Sequence, residues 1–320
     1  MNLPIIFIVG PTGVGKSAVA MALAAQMNAE IISCDAMQVY REAAIANDKP
    51  AIVDLKCVPH HMIGCVGVKE EYDVARYRKD AITAIEDVHG RGGVPLVVGG
   101  SGMYVSILLD GIFEGNAQDP MVRRQLTEDA KVLGSEKLYQ RLKKVDPVSA
   151  AKINPNDERR IIRALEVYVS NRKPISQMQK DRSGLWGKYP IKVFALNRER
   201  QELYDRVDQR VEKMFAAGLV EEIKQLTQLE LSKTAGVLIG IPEITAYLRD
   251  EISLQDAKEE IQLKTRHYVK RQLTWFRKDK RLEWLMIAQD DTALQTAQRI
   301  LEKLKESNMD ITDAFERTKK

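Results

Sequence analysis

The chain is 320 residues long, 44% of them hydrophobic and 29% charged, a composition typical of a globular protein large enough to bury a substantial core. Its formal net charge of +4 permits an anionic partner without requiring one. No apolar run is long enough to span a bilayer, and the odd number of cysteines, three, is typical of a reducing compartment, so we expect a cytoplasmic protein without a membrane partner.

Strand and helix patterns alternate from residue 1 to about residue 110. The apolar run IIFIV precedes a glycine-rich turn and an alanine-rich helix pattern, SAVAMALAAQM. These are followed by the strand pattern AEIISCD, the amphipathic helix pattern ARYRKDAITAIEDVHGRG, the buried strand pattern VPLVVGG and a last helix pattern, SGMYVSILLDG. This order predicts an α/β fold with a phosphate-loop (P-loop) parallel sheet as its core, flanked by helices.

The pattern changes near residue 118, where helical periods punctuated by prolines replace the alternation. One more strand, YPIKVFALN, is predicted at 189–197, before a long run of helices from Glu199 to Ser307. A strand that returns after a helical block indicates an insertion. We therefore predict a core of residues 1–117 and 189–307 with a helical C-terminal region, an inserted all-helical lobe of residues 118–188, and a frayed tail of residues 308–320.

The segment after the first strand has the phosphate-binding spacing G-x-x-x-x-G-K-[ST]. Its glycines let successive backbone N–H groups turn inward, and the following helix presents its positive end. Lys16 adds a point charge, and Ser17 supplies a hydroxyl suited to Mg²⁺. The spacing indicates a diphosphate or triphosphate ligand without deciding between them. The predicted binding loop comprises Gly10, Pro11, Thr12, Gly13, Val14, Gly15, Lys16 and Ser17.

The strand VPLVV lacks the acidic residue that ATPases and GTPases use at this point to hold Mg²⁺, since it runs directly into Gly99, Gly100, Ser101 and Gly102. This absence disfavours a motor ATPase or a switch GTPase and leaves small-molecule kinases open. The glycines predict close approach of a ligand to the backbone. Ser101 is a candidate to donate a hydrogen bond to a phosphate or to accept one from a base.

Asp35 closes the second predicted strand, at the edge of the sheet where open α/β proteins bind ligands. A carboxylate beside a phosphate loop can take a proton from an acceptor nucleophile while the loop holds the leaving phosphate. A helix N-cap or a turn aspartate explains the same residue equally well. Gln38 has an amide suited to pairing with an adenine edge.

The stretch CVPHHMIGC holds four side chains of the kinds that bind zinc, Cys57, His60, His61 and Cys65. Structural zinc sites usually draw two ligand pairs from separated segments, because four donors from one short stretch rarely converge. We therefore favour partly buried thiols and a hydrogen-bonded histidine pair over a metal site.

Seven motifs occur in a specific order along the chain: GPTGVGKS, SCDAMQVY, VPHH, PLVVGGSGMY, NPNDERRIIRALEV, GLVEEI and KRQLTWFR. Together, from about residue 4 to about residue 285, they resemble the tRNA dimethylallyltransferases (tRNA isopentenyltransferases). The resemblance implies transfer of a dimethylallyl group from dimethylallyl diphosphate to N6 of the adenine on the 3′ side of the tRNA anticodon, giving N6-dimethylallyladenosine. The loop would then hold the diphosphate leaving group rather than ATP, with Mg²⁺ as cofactor and the anticodon stem-loop as partner.

The resemblance also implies roles for individual residues. Asp35 would be the general base, and the loop with Mg²⁺ at Ser17 would stabilise the departing diphosphate. Arg206 and Arg210 lie in a segment that resembles one near the substrate channel. The implied catalytic residues are Asp35, Lys16, Ser101 and Arg123. The implied tRNA contacts are Asp35, Ala36, Met37, Gln38, Ser101, Arg123, Arg159, Arg160, Ile161, Ile162 and Arg163.

Three stretches depart from the family pattern. Ala36 replaces a serine beside the implied base, residues 45–50 read IANDKP instead of IGTAKP, and residues 239–243 read IGIPE instead of IGYxE. The departures leave the fine details of tRNA contact open, whereas the loop and Asp35 are intact.

Other functions share parts of this pattern. A small-molecule kinase using ATP has the same kind of loop, strand-end aspartate and glycine turn, and it is the alternative that the residues alone allow. It leaves unexplained the two helix patterns with a basic face, NDERRIIRALEVYV and KTRHYVKRQLTWFRKDKR. A free-adenylate isopentenyltransferase would need far less basic surface, and an RNA-binding ATPase would need the missing strand-end carboxylate. We expect a monomeric enzyme.

Overall fold

The computed structural model describes residues 3–113 and 119–307. Within these ranges one six-stranded sheet has the strand order β3-β2-β4-β1-β5-β6, and every neighbouring pair is parallel. The predicted α/β fold with a parallel core is confirmed. The strands are β1 (Ile5–Val9), β2 (Ala29–Ser33), β3 (His60–His61), β4 (Val94–Gly99), β5 (Ile191–Asn197) and β6 (Glu283–Met286).

Helices account for most of the remaining regular structure. None of those in the described ranges combines the length and the apolarity needed to cross a bilayer. The α-helices are α1 (Lys16–Ala24), α2 (Ile52–Cys57), α3 (Val74–Gly90), α4 (Gly102–Asp110), α5 (Pro120–Leu133), α6 (Ser135–Val145), α7 (Pro147–Ala150), α8 (Glu158–Asn171), α9 (Ile175–Met178), α10 (Arg200–Ala216), α11 (Leu219–Leu226), α12 (Ile241–Leu248), α13 (Leu254–Phe276) and α14 (Ala293–Glu306).

The sheet belongs to the larger of two compact units, residues 1–108 with 186–320. Strands β1 and β4 lie side by side near its middle, and every residue of both is buried. Continuous burial of this kind is typical of parallel strands covered on both faces. Apolar side chains of the sheet pack in one cluster with those of α1 and α14, including Leu23 and Ile300.

The second unit, residues 109–185, is helical and has an apolar core of its own. Helix α5 begins after Asp119, whose carboxylate accepts from the N–H groups of Met121 and Val122, with Pro120 in the first turn. The core of this unit is built from α5, α6, α7 and α8, through Leu126, Ala130, Leu138, Tyr139, Leu142, Ala150, Ile161, Ile162, Ala164 and Leu165.

The boundaries of the predicted lobe differ from this division. The limit predicted at 117/118 and the predicted tail, 308–320, both lie outside the described residues. The other limit falls at 185/186 rather than at 188/189.

Two edge strands contradict the sequence-based expectations. The helical run predicted from 199 to 307 is wrong at β6, and β3 was not predicted at all. Strand β3 has two residues, and β6 has four with a single buried one, Leu285. Such short edge strands carry almost no periodic apolar signal, so they cannot be distinguished from loops in a helical neighbourhood.

Candidate active site

The phosphate loop connects β1 to α1, so it lies at the carboxyl end of a central strand. Gly15, immediately before α1, has φ +102°, a left-handed conformation that a side chain would strain. Helix α1 begins without a side-chain cap. The N–H groups of its first turn therefore point toward any anion that enters the loop.

Lys16 turns back onto its own loop. Its ammonium donates to the carbonyl of Pro11, with N···O 2.8 Å. Burial lowers the pKa of Lys16 to about 8, although the neighbouring Asp35 carboxylate acts in the opposite direction. The loop thus holds a cation whose charge is poorly compensated, and a bound anion would relieve that cost.

Helix α10 adds further cations to the loop. The guanidinium of Arg206 donates to the carbonyl of Gly13 at 2.7 Å, and that of Arg210 donates to the hydroxyl of Thr12 at 2.7 Å. Arg210 also pairs with the Asp48 carboxylate at 3.2 Å. Because Arg206 and Arg210 lie one turn apart, a single face of α10 borders the loop.

Gln272, on α13, joins the loop to the glycine turn after β4. Its amide oxygen accepts from the N–H of Thr12 at 2.9 Å, and its amide nitrogen donates to the carbonyl of Gly100 at 3.0 Å. The side chain is buried, so both contacts are shielded from water. One loop N–H is therefore already paired within the protein.

The glycine turn is tightly packed on the side to which a side chain would point, while the backbone of Gly99 borders the cleft beside the loop, so the predicted close approach of a ligand stays a prediction. A Cβ at Gly99 would lie 2.0 Å from the carbonyl oxygen of Cys34, and one at Gly102 would lie 2.3 Å from the Trp275 ring. These glycines allow Cys34, the residue after β2, and helix α13 to approach the turn closely.

Asp35 lies two residues beyond the end of β2, in a turn rather than at a helix N-cap. One carboxylate oxygen accepts from the N–H of Met37 at 2.9 Å. The hydroxyl of Ser101 accepts from the N–H of Ala36 at 2.9 Å, which fixes the same turn from the β4 side. Burial raises the pKa of the adjacent Tyr268 to about 12, and the negative charge of Asp35 adds to this rise.

The segment after this turn is held by internal hydrogen bonds. The amide of Gln38 accepts from the hydroxyl of Ser33 at 2.9 Å and donates to the carbonyl of Asp48 at 3.2 Å. In the structure the Gln38 amide therefore connects β2 to the segment around Asp48, and both of its polar atoms are already hydrogen-bonded within the protein. The carboxylate of Glu222 accepts from the three consecutive N–H groups of residues 44–46, each at 2.8 Å.

Two adjoining cavities meet at Asp35. A cleft of about 730 Å³ is bordered by Lys16 and Ser17 of the loop and by Arg206, Arg210 and Lys213 of α10. A smaller cavity of about 210 Å³ has mostly apolar walls. Residues Thr12, Asp35, Asn47, Arg210 and Met214 border both. The smaller cavity is otherwise lined by Ala36, Met37, Ala46, Val211, Leu219, Val237, Leu238, Ile239, Ile261, Thr265, Tyr268 and Arg271.

The other predicted tRNA contacts belong to the helical unit. Arg159 and Arg160 are exposed on α8, and Arg160 pairs with Asp157 at 3.3 Å. Ile161 and Ile162 are buried in that unit's core, so their side chains pack internally, which corrects the prediction of tRNA contact for these two.

Arg123 and Arg163 of the same unit share one partner. Arg123, on α5, donates to the Glu166 carboxylate at 2.7 Å, and Arg163, on α8, donates to it at 3.0 Å. The structure therefore brings these two predicted residues together.

The chemistry of the cleft fits Mg²⁺. Ser17 is exposed there and Asp35 borders it, and hydroxyl and carboxylate oxygens are hard ligands of the kind that this ion prefers. Among the described residues no group of three or more His, Cys, Asp or Glu side chains could hold a metal. His60 contacts the Val58 carbonyl at 2.8 Å, and His61 contacts Glu30 at 2.7 Å.

We expect diphosphate binding to depend on pH through Lys16. Because its pKa lies at about 8 in the free protein, the charged fraction falls about tenfold from pH 7 to pH 9. The affinity for inorganic diphosphate should fall by a similar factor, measured by isothermal titration calorimetry. Dividing the affinity at each pH by the affinity of the Lys16→Met variant at the same pH removes the contribution that ionisation of diphosphate makes to the pH dependence. Equal pH profiles for the two proteins would contradict the prediction.

Two family models match parts of this chain. A family model described as IPP transferase matches residues 38–279. A model of the ATPase family associated with various cellular activities (AAA) matches residues 6–69, which include β1 except for its first residue, the phosphate loop and β2. The second match is consistent with the observed phosphate-loop topology.

Curated and solved relatives agree with the first match. The chain is 40% identical over 306 residues to a tRNA dimethylallyltransferase of Carboxydothermus hydrogenoformans, covering 95% of this chain and 97% of the relative. A crystal structure of a full-length tRNA isopentenylpyrophosphate transferase from Bacillus halodurans matches at 33% identity with TM-score 0.70, covering 96% of this chain and 98% of the other. A eukaryotic dimethylallyltransferase acting on tRNA matches at 30% identity with TM-score 0.81, covering 96% and 80%. The expected family is thereby confirmed, and the chain belongs to the tRNA dimethylallyltransferases.

Proposed function

We propose that this enzyme transfers the dimethylallyl group of dimethylallyl diphosphate to N6 of the adenine on the 3′ side of the anticodon, giving N6-dimethylallyladenosine. The observation that carries the proposal is that a carboxylate and a phosphate-binding loop border one cleft. Asp35 affects the pKa of Lys16, so the two side chains interact electrostatically. A general base and a site for a leaving anion are the two parts that this reaction requires.

The proposed step balances as a substitution at carbon. The adenine N6 forms a bond to C1 of the dimethylallyl group, and the C1–O bond breaks with its electron pair leaving on the diphosphate. The proton released from N6 moves to the carboxylate of Asp35. Lys16, Arg206 and Arg210 border the space where the departing charge would develop, and they stabilise it.

Ser17 supplies the hydroxyl oxygen that would hold Mg²⁺ beside the diphosphate. When bound, the ion supplies positive charge to the leaving oxygens. The small apolar cavity next to Asp35 suits the hydrocarbon tail, because its walls include Met37, Met214 and Leu238. A tail in that cavity would put its reacting carbon near both the base and the loop.

The acceptor adenine must leave its stack to reach Asp35, so we expect an anticodon loop with a splayed base as substrate. Arg123, Arg159, Arg160 and Arg163 are the proposed contacts of the helical unit with the tRNA backbone. We further propose that the enzyme works in the cytoplasm as a monomer.

Mass spectrometry of nucleosides tests the proposal. An unmodified tRNA with adenine 3′ to the anticodon is incubated with the enzyme, Mg²⁺ and dimethylallyl diphosphate. We expect dimethylallyladenosine at that position, and none after chelation of Mg²⁺ or with a tRNA carrying guanine there. Absence of product, together with phosphate transfer from ATP to a metabolite, would overturn the proposal in favour of a kinase.

A further inference from the structure

The helical unit contains a buried carboxylate that the proposed reaction leaves unused. Glu166 lies on α8 with its side chain 1% exposed, among the apolar residues of that unit's core. One of its oxygens accepts from the backbone N–H of Asp119 at 3.1 Å, at the start of α5. A buried charge without strong partners is costly, so its contacts must be well made to offset that cost.

Its other oxygen binds two arginines from different helices. Arg123 reaches it from α5 at 2.7 Å, and Arg163 reaches it from one turn earlier on α8 at 3.0 Å. These arginine side chains are 47% and 32% exposed, so each is anchored at one end and open to solvent at the other. Two guanidinium groups and one carboxylate leave a net charge of +1 at the surface of the unit.

We propose that Glu166 is a positioning residue for RNA binding, which holds Arg123 and Arg163 together as one phosphate-binding pair. Without the shared carboxylate the two like charges would repel and separate. With it, their remaining N–H donors are presented side by side, a geometry that suits the oxygens of one phosphate. This inference rests on the proposed function, because it takes both arginines to face tRNA.

The hydrogen bond between Glu166 and the backbone of Asp119 has a second consequence for the position of Arg123. Because Glu166 also accepts from the N–H of Asp119, the same carboxylate connects the beginning of α5 to α8. Arg123, in the first turn of α5, is therefore fixed both through its own side chain and through the helix that carries it. Arginine side chains lose conformational entropy when they bind RNA. Because Glu166 already holds these two side chains in the free protein, less entropy is lost when RNA binds.

The test is binding of an unmodified 3′-adenine anticodon stem-loop RNA without a prenyl donor, measured by fluorescence anisotropy over a range of salt concentrations. We expect Glu166→Gln to raise Kd by roughly fivefold to tenfold and to lower the salt slope by up to about one, because separation of the two arginines outweighs the positive charge that the variant gains. In the Arg123→Ala/Arg163→Ala background the same substitution should leave Kd unchanged. Glu166→Asp, which keeps the charge but shortens the reach, should show an intermediate loss.

Asp146→Asn is the matched control. Asp146 is also buried in the helical unit, but it accepts from Ser149 and Ser176 and not from an arginine. We expect this variant to lose thermal stability while its Kd for RNA stays within about twofold of the wild type, since no cation is displaced. Equal weakening of binding by Asp146→Asn and Glu166→Gln would reduce Glu166 to a stabilising residue and overturn the inference.

Two outcomes separate this inference from the proposed reaction. Unchanged RNA binding by Glu166→Gln and Glu166→Asp, with a wild type that prenylates tRNA, would overturn the inference alone. The expected losses of binding, with a wild type that forms no dimethylallyladenosine, would support the inference and overturn the reaction.

Discussion

Asp35→Asn is expected to slow prenyl transfer by roughly 10²- to 10⁴-fold, the usual contribution of a positioned general base. Asparagine retains an oxygen that can accept from the N–H of Met37, so the turn after β2 should persist. It cannot accept the proton from N6 at neutral pH. Single-turnover rates with saturating tRNA and dimethylallyl diphosphate measure the chemical step, and anisotropy with the stem-loop RNA checks that binding is retained.

Asp48→Asn provides the control for that experiment. Asp48 borders the same cleft, but its carboxylate pairs with Arg210, and its φ of +46° is a conformation that asparagine tolerates well. Losing this exposed pair should change the single-turnover rate only a few-fold. A residual rate above about a tenth of the wild type in Asp35→Asn would rule out Asp35 as the base.

Gly99→Ala is expected to be the most destabilising single-methyl addition at the site. The new Cβ would lie 2.0 Å from the carbonyl oxygen of Cys34, and backbone on both sides leaves no flexible side chain to give way. The strain should lower the free energy of unfolding by about 3 kcal/mol, because β2 and β4 must separate. Thermal unfolding followed by circular dichroism should show a melting temperature lower by roughly 6–12 °C.

Gly90→Ala is the matched substitution. A Cβ at Gly90, the last residue of α3, meets nothing within 4 Å. We expect the free energy of unfolding to stay the same or to rise by up to about 1 kcal/mol, since alanine is the better helix former. A Gly99→Ala protein as stable as Gly90→Ala would mean that the glycine turn has room after all.

The parts of the site that the sequence predicts well are those set by local spacing. The phosphate loop is contiguous, and a strand before it with a helix after it indicates its conformation. Asp35 follows a recognisable buried strand, and the parallel order of the core brings such strand ends to one edge. The short apolar runs of β1, β2, β4 and β5, alternating with longer helical periods, were likewise sufficient to predict the sheet core.

The parts that could not be predicted depend on tertiary packing. Gln272 and Glu222 stand in the motifs KRQLTWFR and GLVEEI, yet nothing in their spacing tells which backbone N–H groups they would meet. The sequence also does not reveal that Cys34 and Trp275 lie against the glycine turn on the side where side chains would point. Glu166 reads as one polar residue of an amphipathic helix, although it is wholly buried.

Gln272 has a consequence for how the enzyme is made. The side chain of Gln272 accepts a hydrogen bond from the N–H of Thr12, which lies 260 residues earlier in the chain. At roughly 5–20 residues per second, the ribosome needs on the order of 10–50 s after making Thr12 to reach Gln272. Throughout that interval a nascent chain carries a phosphate loop without its partner from α13. The N–H of Thr12 is therefore paired as in the folded protein only after α13 has been synthesised.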